Sequence, residues 1–84
     1  MKVTVRYFAS LRESLGERQE VEGVESGLTV GELRRWLMAS SPAHAQALAA
    51  DRAVRCALNQ AMVEESATVP DGAEVAFFPP VTGG

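Results

Sequence analysis

The chain has 84 residues, of which 46% are hydrophobic, and it carries a formal net charge of −3. This length suits one domain of modest stability. The acidic balance disfavours nucleic acid and anionic membranes as partners, because both favour a basic face. Apolar runs fall well short of the ~20 residues that a membrane-spanning helix needs, so we expect a cytoplasmic protein.

The first predicted element is a strand at residues 2–8, "KVTVRYF". Its residues alternate, with Val3, Val5 and Tyr7 on one face and Arg6 and Phe8 on the other, which is typical of a strand with one buried face. The segment "ASLRESLG" predicts a short helical turn, and "RQEVEGV" predicts a weaker second strand.

The clearest helix is "TVGELRRWLMAS". Thr29 and Glu32 have the spacing of a capping box. Four apolar residues recur at helical spacing: Val30, Leu33, Trp36 and Leu37. This pattern predicts that Trp36 belongs to the core, and we expect Arg34 and Arg35 on the solvated side. A second helix is predicted to begin at Ser41-Pro42, with His44 solvated on it.

The second half of the chain predicts three more strands. "AVRCAL" and "MVEE" flank a turn at residues 59–61, with Cys56 as a buried structural thiol and Glu64-Glu65 on a solvated edge. "VPDG" predicts a turn with Pro70 at its second position. "AEVAFF" is the last strand, and Pro79-Pro80 end it because proline cannot donate to a ladder.

The order of these elements indicates an α+β domain with a mixed sheet across one main helix. We predict a single domain over residues 1–78 and an extended tail over residues 79–84. We find no Gly-rich phosphate loop, and we predict no metal site. One histidine and one cysteine in plain structural contexts give little support to nucleophilic catalysis.

Two features call for a functional interpretation. Strand phase places Phe8 and Phe78 on the face opposite the predicted core, which suggests a binding surface unless a second element covers them. The tail follows a stiff Pro79-Pro80 pair, spans about 20 Å, and ends at Gly83-Gly84, which fit a slot too narrow for side chains. A frayed terminus is the simpler alternative.

A terminal carboxylate delivered to another protein's active site suggests one kind of chemistry. Adenylation by ATP converts it to a mixed anhydride. Sulfur attack on that anhydride forms a thiocarboxylate, a sulfur donor, whereas amine attack forms an amide tag. Both routes need a partner enzyme.

Three segments carry a resemblance that runs the whole length of the chain: "YFASLRE", "ALNQAMV" and "DGAEVAFFPPVTGG". Here the sequence closely resembles the small, sulfur-carrier subunits of molybdopterin synthase, a ubiquitin-like β-grasp family. The resemblance implies that Gly84 is adenylated by an activating enzyme that uses ATP. It also implies that Gly84 is converted to a thiocarboxylate and donates sulfur to cyclic pyranopterin monophosphate, which builds the molybdopterin dithiolene.

The resemblance also assigns residues and partners. It implies a heterotetramer with the large synthase subunit, a sulfur donor enzyme, catalytic groups on the large subunit, and no cofactor bound by this chain. The tail inserted into the partner would be Pro79, Pro80, Val81, Thr82 and Gly83, which precede Gly84. The partner contacts would be Phe8, Arg12, Met62 and Phe78; Met62 replaces a more usual leucine.

Three other interpretations stay open on the sequence. A thiamin-type sulfur carrier shares the terminal Gly-Gly, although its tail differs before the glycines. A ubiquitin-like modifier would form isopeptide bonds, and this chain offers Lys2 as its one lysine. The third is an interaction module with an inert tail.

Overall fold

The computed structural model describes residues 1–80, so the predicted tail residues from Val81 to Gly84 lie outside it. No helix in the described part of the chain is long and apolar enough to cross a membrane. The elements in chain order are β1 (Lys2–Tyr7), α1 (Ala9–Leu15), β2 (Arg18–Glu22), α2 (Val30–Met38), α3 (Pro42–Ala47), β3 (Arg55–Leu58), β4 (Ala61–Val63) and β5 (Glu74–Phe78).

Five strands form one mixed sheet in the order β2-β1-β5-β3-β4. The first and last strands, β1 and β5, lie side by side at the centre and run parallel, whereas the other three neighbouring pairs are antiparallel. The chain therefore leaves β5 at the middle of one end of the sheet, beside the end of β1. The predicted α+β fold, with a mixed sheet across one main helix, is confirmed.

One face of the sheet forms the core together with the helices. The alternation predicted for β1 is confirmed, because Val3, Val5 and Tyr7 have no solvent exposure. In β5, Val75 and Phe77 are equally buried. Helix α2 covers these side chains with its apolar stripe of Val30, Leu33 and Leu37. Full burial of each such side chain contributes about 1.5–3 kcal/mol, so this one face supplies most of the driving force for folding.

Helix α2 begins where the sequence predicts. The Thr29 hydroxyl oxygen accepts a hydrogen bond from the backbone N–H of Glu32 at 3.2 Å, and the Glu32 carboxylate accepts one from the backbone N–H of Thr29 at 2.8 Å. These hydrogen bonds to Thr29 lower the pKa of Glu32. The reciprocal pair satisfies two donors that a helix start otherwise leaves unpaired.

The prediction for the two faces of α2 was wrong at Trp36 and at Arg34. Trp36 is 41% exposed, whereas Arg34 is only 6% exposed. At about 100° per residue, the buried arc of α2 runs from Leu33 to Gly31. Arg34 falls inside this arc, about 40° from Val30, whereas Trp36 falls about 60° beyond Leu33. Helix geometry thus turns the arginine inward and leaves the larger apolar ring at the surface.

The buried Arg34 guanidinium connects three segments of the chain. Its Nε donates to the Leu48 carbonyl at 2.8 Å, and one Nη donates to the carbonyls of Ala49 and Arg52 at 2.7 and 3.0 Å. The other Nη pairs with the Glu65 carboxylate. The prediction of a solvated edge is confirmed for Glu64, which is exposed, whereas Glu65 is partly exposed and pairs with Arg34. Strand β4 ends before both residues.

The turn at Asn59-Gln60 fixes the register of the last strands. Both residues have positive φ, 48° and 71°, as a type I′ hairpin turn requires. The Asn59 backbone N–H donates to the Glu74 carbonyl at 2.8 Å, and the Asn59 side-chain oxygen accepts from the Glu74 N–H at 2.9 Å. The side chain therefore ties the β3–β4 hairpin to the start of β5.

The turn at "VPDG" forms, but its residues are shifted by one position from the prediction. The Ala73 N–H donates to the Pro70 carbonyl at 3.2 Å, so Pro70 occupies the first position of the turn and Asp71 the second. Gly72 takes the third position with φ of 79°, a value that suits glycine in a type II turn.

Candidate functional site

An apolar surface lies on the sheet face opposite the core, and we call it the open face: Phe8, Ala57, Met62, Ala76 and Phe78. Ala76 is the register partner of Ala57, and Ala57 is the register partner of Met62, so their side chains share one face. Phe8 is 37% exposed and Met62 54% exposed, whereas both alanines are only 7% exposed. The alanines therefore form a low floor between larger side chains.

Phe8 reaches this face because the chain continues β1 by one residue and then turns sharply. The backbone N–H of Phe8 donates to the Phe77 carbonyl at 3.2 Å, and Phe8 itself keeps an extended conformation. Ala9 then adopts a φ of +54°, a conformation that costs a non-glycine residue about 1 kcal/mol. This strained turn starts α1 while Phe8 stays in strand phase.

The three helices all pack on the other side of the sheet. Leu11 of α1 and Ala47 of α3 join the same core as α2. The alternative in which a second element covers Phe8 and Phe78 is therefore wrong for residues 1–80. An uncovered apolar surface beside a chain terminus is typical of a surface that binds another protein.

The two other predicted contact residues lie at different distances from this surface. Met62 is part of the open face itself. Arg12 is on α1, one helical turn after Phe8, and its exposed guanidinium lies 4.0 Å from the Glu17 carboxylate. That Phe8, Arg12, Met62 and Phe78 contact a partner stays a prediction.

Two arginines that the sequence analysis did not select lie beside the aromatic residues. The Arg6 guanidinium carbon lies 5.0 Å from the centroid of the Phe8 ring, which is within the range of a cation–π interaction. Arg55 is the register partner of Phe78. The alternation of β1 had already grouped Arg6 with Phe8, but the sequence held no signal for the pairing of Arg55 with Phe78.

The tail begins against the body of the domain. Pro79 is half-buried and lines a depression with Ser10, Leu11, Arg52 and Val54, among others. Helix α1 and the loop after α3 therefore surround the point where the chain leaves the sheet. Of the predicted tail, only Pro79 and Pro80 are described; Val81, Thr82, Gly83 and Gly84 lie outside the described residues.

Cys56 is buried, as predicted. Its Sγ donates to the Val63 carbonyl at 3.3 Å. Burial, and next the nearby Glu65 carboxylate, raise the pKa of the Cys56 thiol. Because the thiolate is the nucleophile, Cys56 is a poor candidate for carrying sulfur.

His44 is half-buried rather than solvated, so that prediction was wrong. Its Nε2 lies 2.9 Å from the Gln19 side-chain oxygen, and its Nδ1 lies 2.7 Å from the Ser41 hydroxyl. The same Gln19 oxygen accepts from the Tyr7 hydroxyl at 2.7 Å. The Nε2–H tautomer of His44 can donate to this Gln19 oxygen while Nδ1 accepts from the Ser41 hydroxyl. Burial lowers the pKa of His44. Within residues 1–80, no group of three or more His, Cys, Asp or Glu side chains could hold a metal ion.

The fold and this surface together define the class: a ubiquitin-like β-grasp protein with an exposed apolar sheet face next to the start of its C-terminal tail. Comparison with protein families identifies the family within this class. The model of the ThiS family matches residues 5–84. The chain belongs to the ThiS family.

Known relatives and solved structures agree with this membership. The chain is 42% identical over 82 residues to the molybdopterin synthase sulfur carrier subunit of Escherichia coli strain K12, which covers 98% of this chain and 99% of the relative. SAMP1 from Haloferax volcanii has a similar structure, with a TM-score of 0.81, 27% identity and full coverage of both chains. The complex of subunits 1 and 2 of the molybdopterin-converting factor from Helicobacter pylori contains a chain with a TM-score of 0.66, 26% identity and full coverage of both.

Proposed function

We propose that this chain is the sulfur-carrier subunit of a molybdopterin synthase. The observation that carries the proposal is the full-length similarity to a protein of that name, at 42% identity. The structure supports it with an open apolar face at the end of the sheet from which the Gly-Gly tail departs.

The proposed chemistry takes place at the Gly84 carboxylate. The carboxylate attacks the α-phosphorus of ATP, which forms an acyl adenylate and releases pyrophosphate. Hydrosulfide then attacks the acyl carbon, the C–O bond to AMP breaks and AMP leaves, and the resulting thioacid loses its proton to become a thiocarboxylate. The activating enzyme supplies the ATP site and a sulfur donor enzyme supplies the sulfur. Cys56 is not that source, because its thiol is buried.

The thiocarboxylate then donates its sulfur to cyclic pyranopterin monophosphate in the large synthase subunit. The tail would enter that subunit's active site while Phe8, Met62 and Phe78 dock against its surface. Glycines at positions 83 and 84 suit a narrow channel because they carry no side chain. In this proposal the catalytic groups belong to the large subunit, the chain itself is not an enzyme, and the complex is a heterotetramer in the cytoplasm.

An intact-mass measurement tests the proposal directly. The protein is incubated with the activating enzyme, ATP and a sulfur source, and the spectrum is searched for the exchange of one oxygen for sulfur at Gly84. The large subunit and the pterin precursor are then added, and molybdopterin formation is measured. A chain extended by one leucine after Gly84 is the matched control, and we expect neither mass change nor product from it. Product formed by the uncleaved extension would contradict tail insertion.

A protein modifier is the second candidate function. The similarity to SAMP1 from Haloferax volcanii favours it, because that protein is small archaeal modifier protein 1. The same mass experiment separates the two functions. An isopeptide adduct between Gly84 and a lysine of another protein, without transfer of sulfur to the pterin, would favour the modifier.

A further inference from the structure

Three arginines lie at the end of the open face from which the tail departs: Arg6, Arg18 and Arg55. Arg6 and Arg18 are direct register partners across β1 and β2. Arg55 begins β3 at the same end of the sheet. Like charges directly opposite each other destabilise a sheet, and the chain as a whole is acidic, with a net charge of −3. The contacts of these arginines within the chain are solvent-accessible and contribute little to the fold, which points to a role in binding.

The acidic residues of the chain compensate these charges only in part. Arg6 lies 4.0 Å from Glu74, and Arg18 lies 3.3 Å from Glu20. Such solvent-accessible pairs contribute about 0–1 kcal/mol. No carboxylate of residues 1–80 lies within 4.0 Å of the Arg55 guanidinium, although Glu64 lines the same surface depression.

Two of these arginines lie next to the aromatic residues that a docked partner would cover. Arg6 lies over the Phe8 ring, and Arg55 lies opposite Phe78 in the sheet. A partner that covers the Phe8 ring therefore removes water from the Arg6 guanidinium. A partner that also covers Phe78 and Met62 extends over Arg55, which lines the same depression as Met62. A desolvated charge without a partner is strongly unfavourable, whereas a carboxylate pairs with the planar guanidinium through two parallel hydrogen bonds.

We propose that the surface that docks on the open face is an apolar patch flanked by carboxylates, which pair with Arg6 and Arg55. The proposal rests on the proposed function, and it commits to the large synthase subunit as the occupant. The two arginines then add charge selectivity to a contact whose affinity comes mainly from the aromatic residues.

Binding measurements with the large subunit test this pairing. The dissociation constant is measured for the wild type and for Arg6→Glu and Arg55→Glu, at low and at high salt. Arg35→Glu is the matched control, because Arg35 is exposed on α2 on the other side of the sheet. We expect each open-face reversal to weaken binding at least about tenfold at low salt, with a smaller dependence on salt, and the control to bind as the wild type does.

Arg6→Gln and Arg55→Gln provide a second set of variants, because they place no carboxylate beside Glu74 or Glu64. We expect them to weaken binding less than the reversals do, with thermal unfolding unchanged. The pairing is refuted if both reversals bind within about twofold of the wild type while Phe78→Glu loses binding. It is also refuted if the reversals weaken binding only to the activating enzyme. A wild-type chain that binds no large subunit would instead overturn the proposed function itself.

Discussion

Replacing Arg34 with methionine should destabilise the domain strongly. Methionine keeps the apolar stem but removes every hydrogen bond of the guanidinium, and the side chain it replaces is 6% exposed. The Ala49 carbonyl still accepts from the Arg52 N–H at 2.9 Å, and Glu65 can turn to water. The Leu48 and Arg52 carbonyls lose the partner that Arg34 supplies.

The magnitude follows from these losses. A buried acceptor left without a partner costs about 1–3 kcal/mol, and breaking a buried ion pair costs about 3–5 kcal/mol. Glu65 is partly exposed, so the loss of its ion pair with Arg34 costs less than that of a fully buried pair. We therefore expect the free energy of unfolding to fall by about 3 kcal/mol in total. A domain of this length has roughly 4–13 kcal/mol of stability, so the loss should lower the melting temperature by more than about 10 °C.

Urea denaturation followed by circular dichroism measures this difference. Arg35→Met is the matched control, since Arg35 is the exposed neighbour, and we expect it to change stability by less than about 0.5 kcal/mol. Arg34→Lys should fall between the two, because an ammonium cannot reproduce the planar fork of donors. If Arg34→Met unfolds within about 1 kcal/mol of Arg35→Met, the cluster does not hold these segments together and the reasoning fails.

Three other perturbations test separate parts of the molecule. Phe78→Glu should weaken binding of the large subunit by about 30-fold or more in calorimetric titration, whereas Trp36→Glu, at the exposed aromatic residue on α2, should bind normally; equal losses would contradict the assignment of the open face. Burial lowers the pKa of His44 below its ordinary 6.5, so the unfolded chain binds the proton more tightly and stability should fall as the pH drops below about 6.5. His44→Gln should lose that part of the pH dependence, and an unchanged profile would show that another group titrates. Burial raises the pKa of Cys56, so iodoacetamide should modify the native protein far more slowly than the urea-unfolded chain, and equal rates would show that the thiol is accessible.

Short-range sequence patterns were enough to predict several strands, the start of the main helix and the role of the tail. Alternation in β1 and β5 was enough to separate the buried Val5 and Phe77 from the outward Phe8 and Phe78, because side chains in a strand alternate with a period of two. The capping box at Thr29 could also be predicted, because it depends on two residues three positions apart. The resemblance in "FFPPVTGG" pointed to the chemistry at the tail without any tertiary information.

The tertiary structure decided what depends on contacts between distant segments. Strand order brings β1 and β3 to either side of β5, and only that order places Arg55 beside Phe78 and brings Phe8 with Arg6 to the same end of the sheet. The burial of Arg34 could not be predicted for the same reason. Its partners include backbone carbonyls of a distant loop, and every residue type carries a carbonyl, so no sequence pattern identifies them. Trp36 was misplaced because apolar spacing defines a helix face only to within a wide arc, and the packing of α2 on the sheet selects which part of that arc is covered.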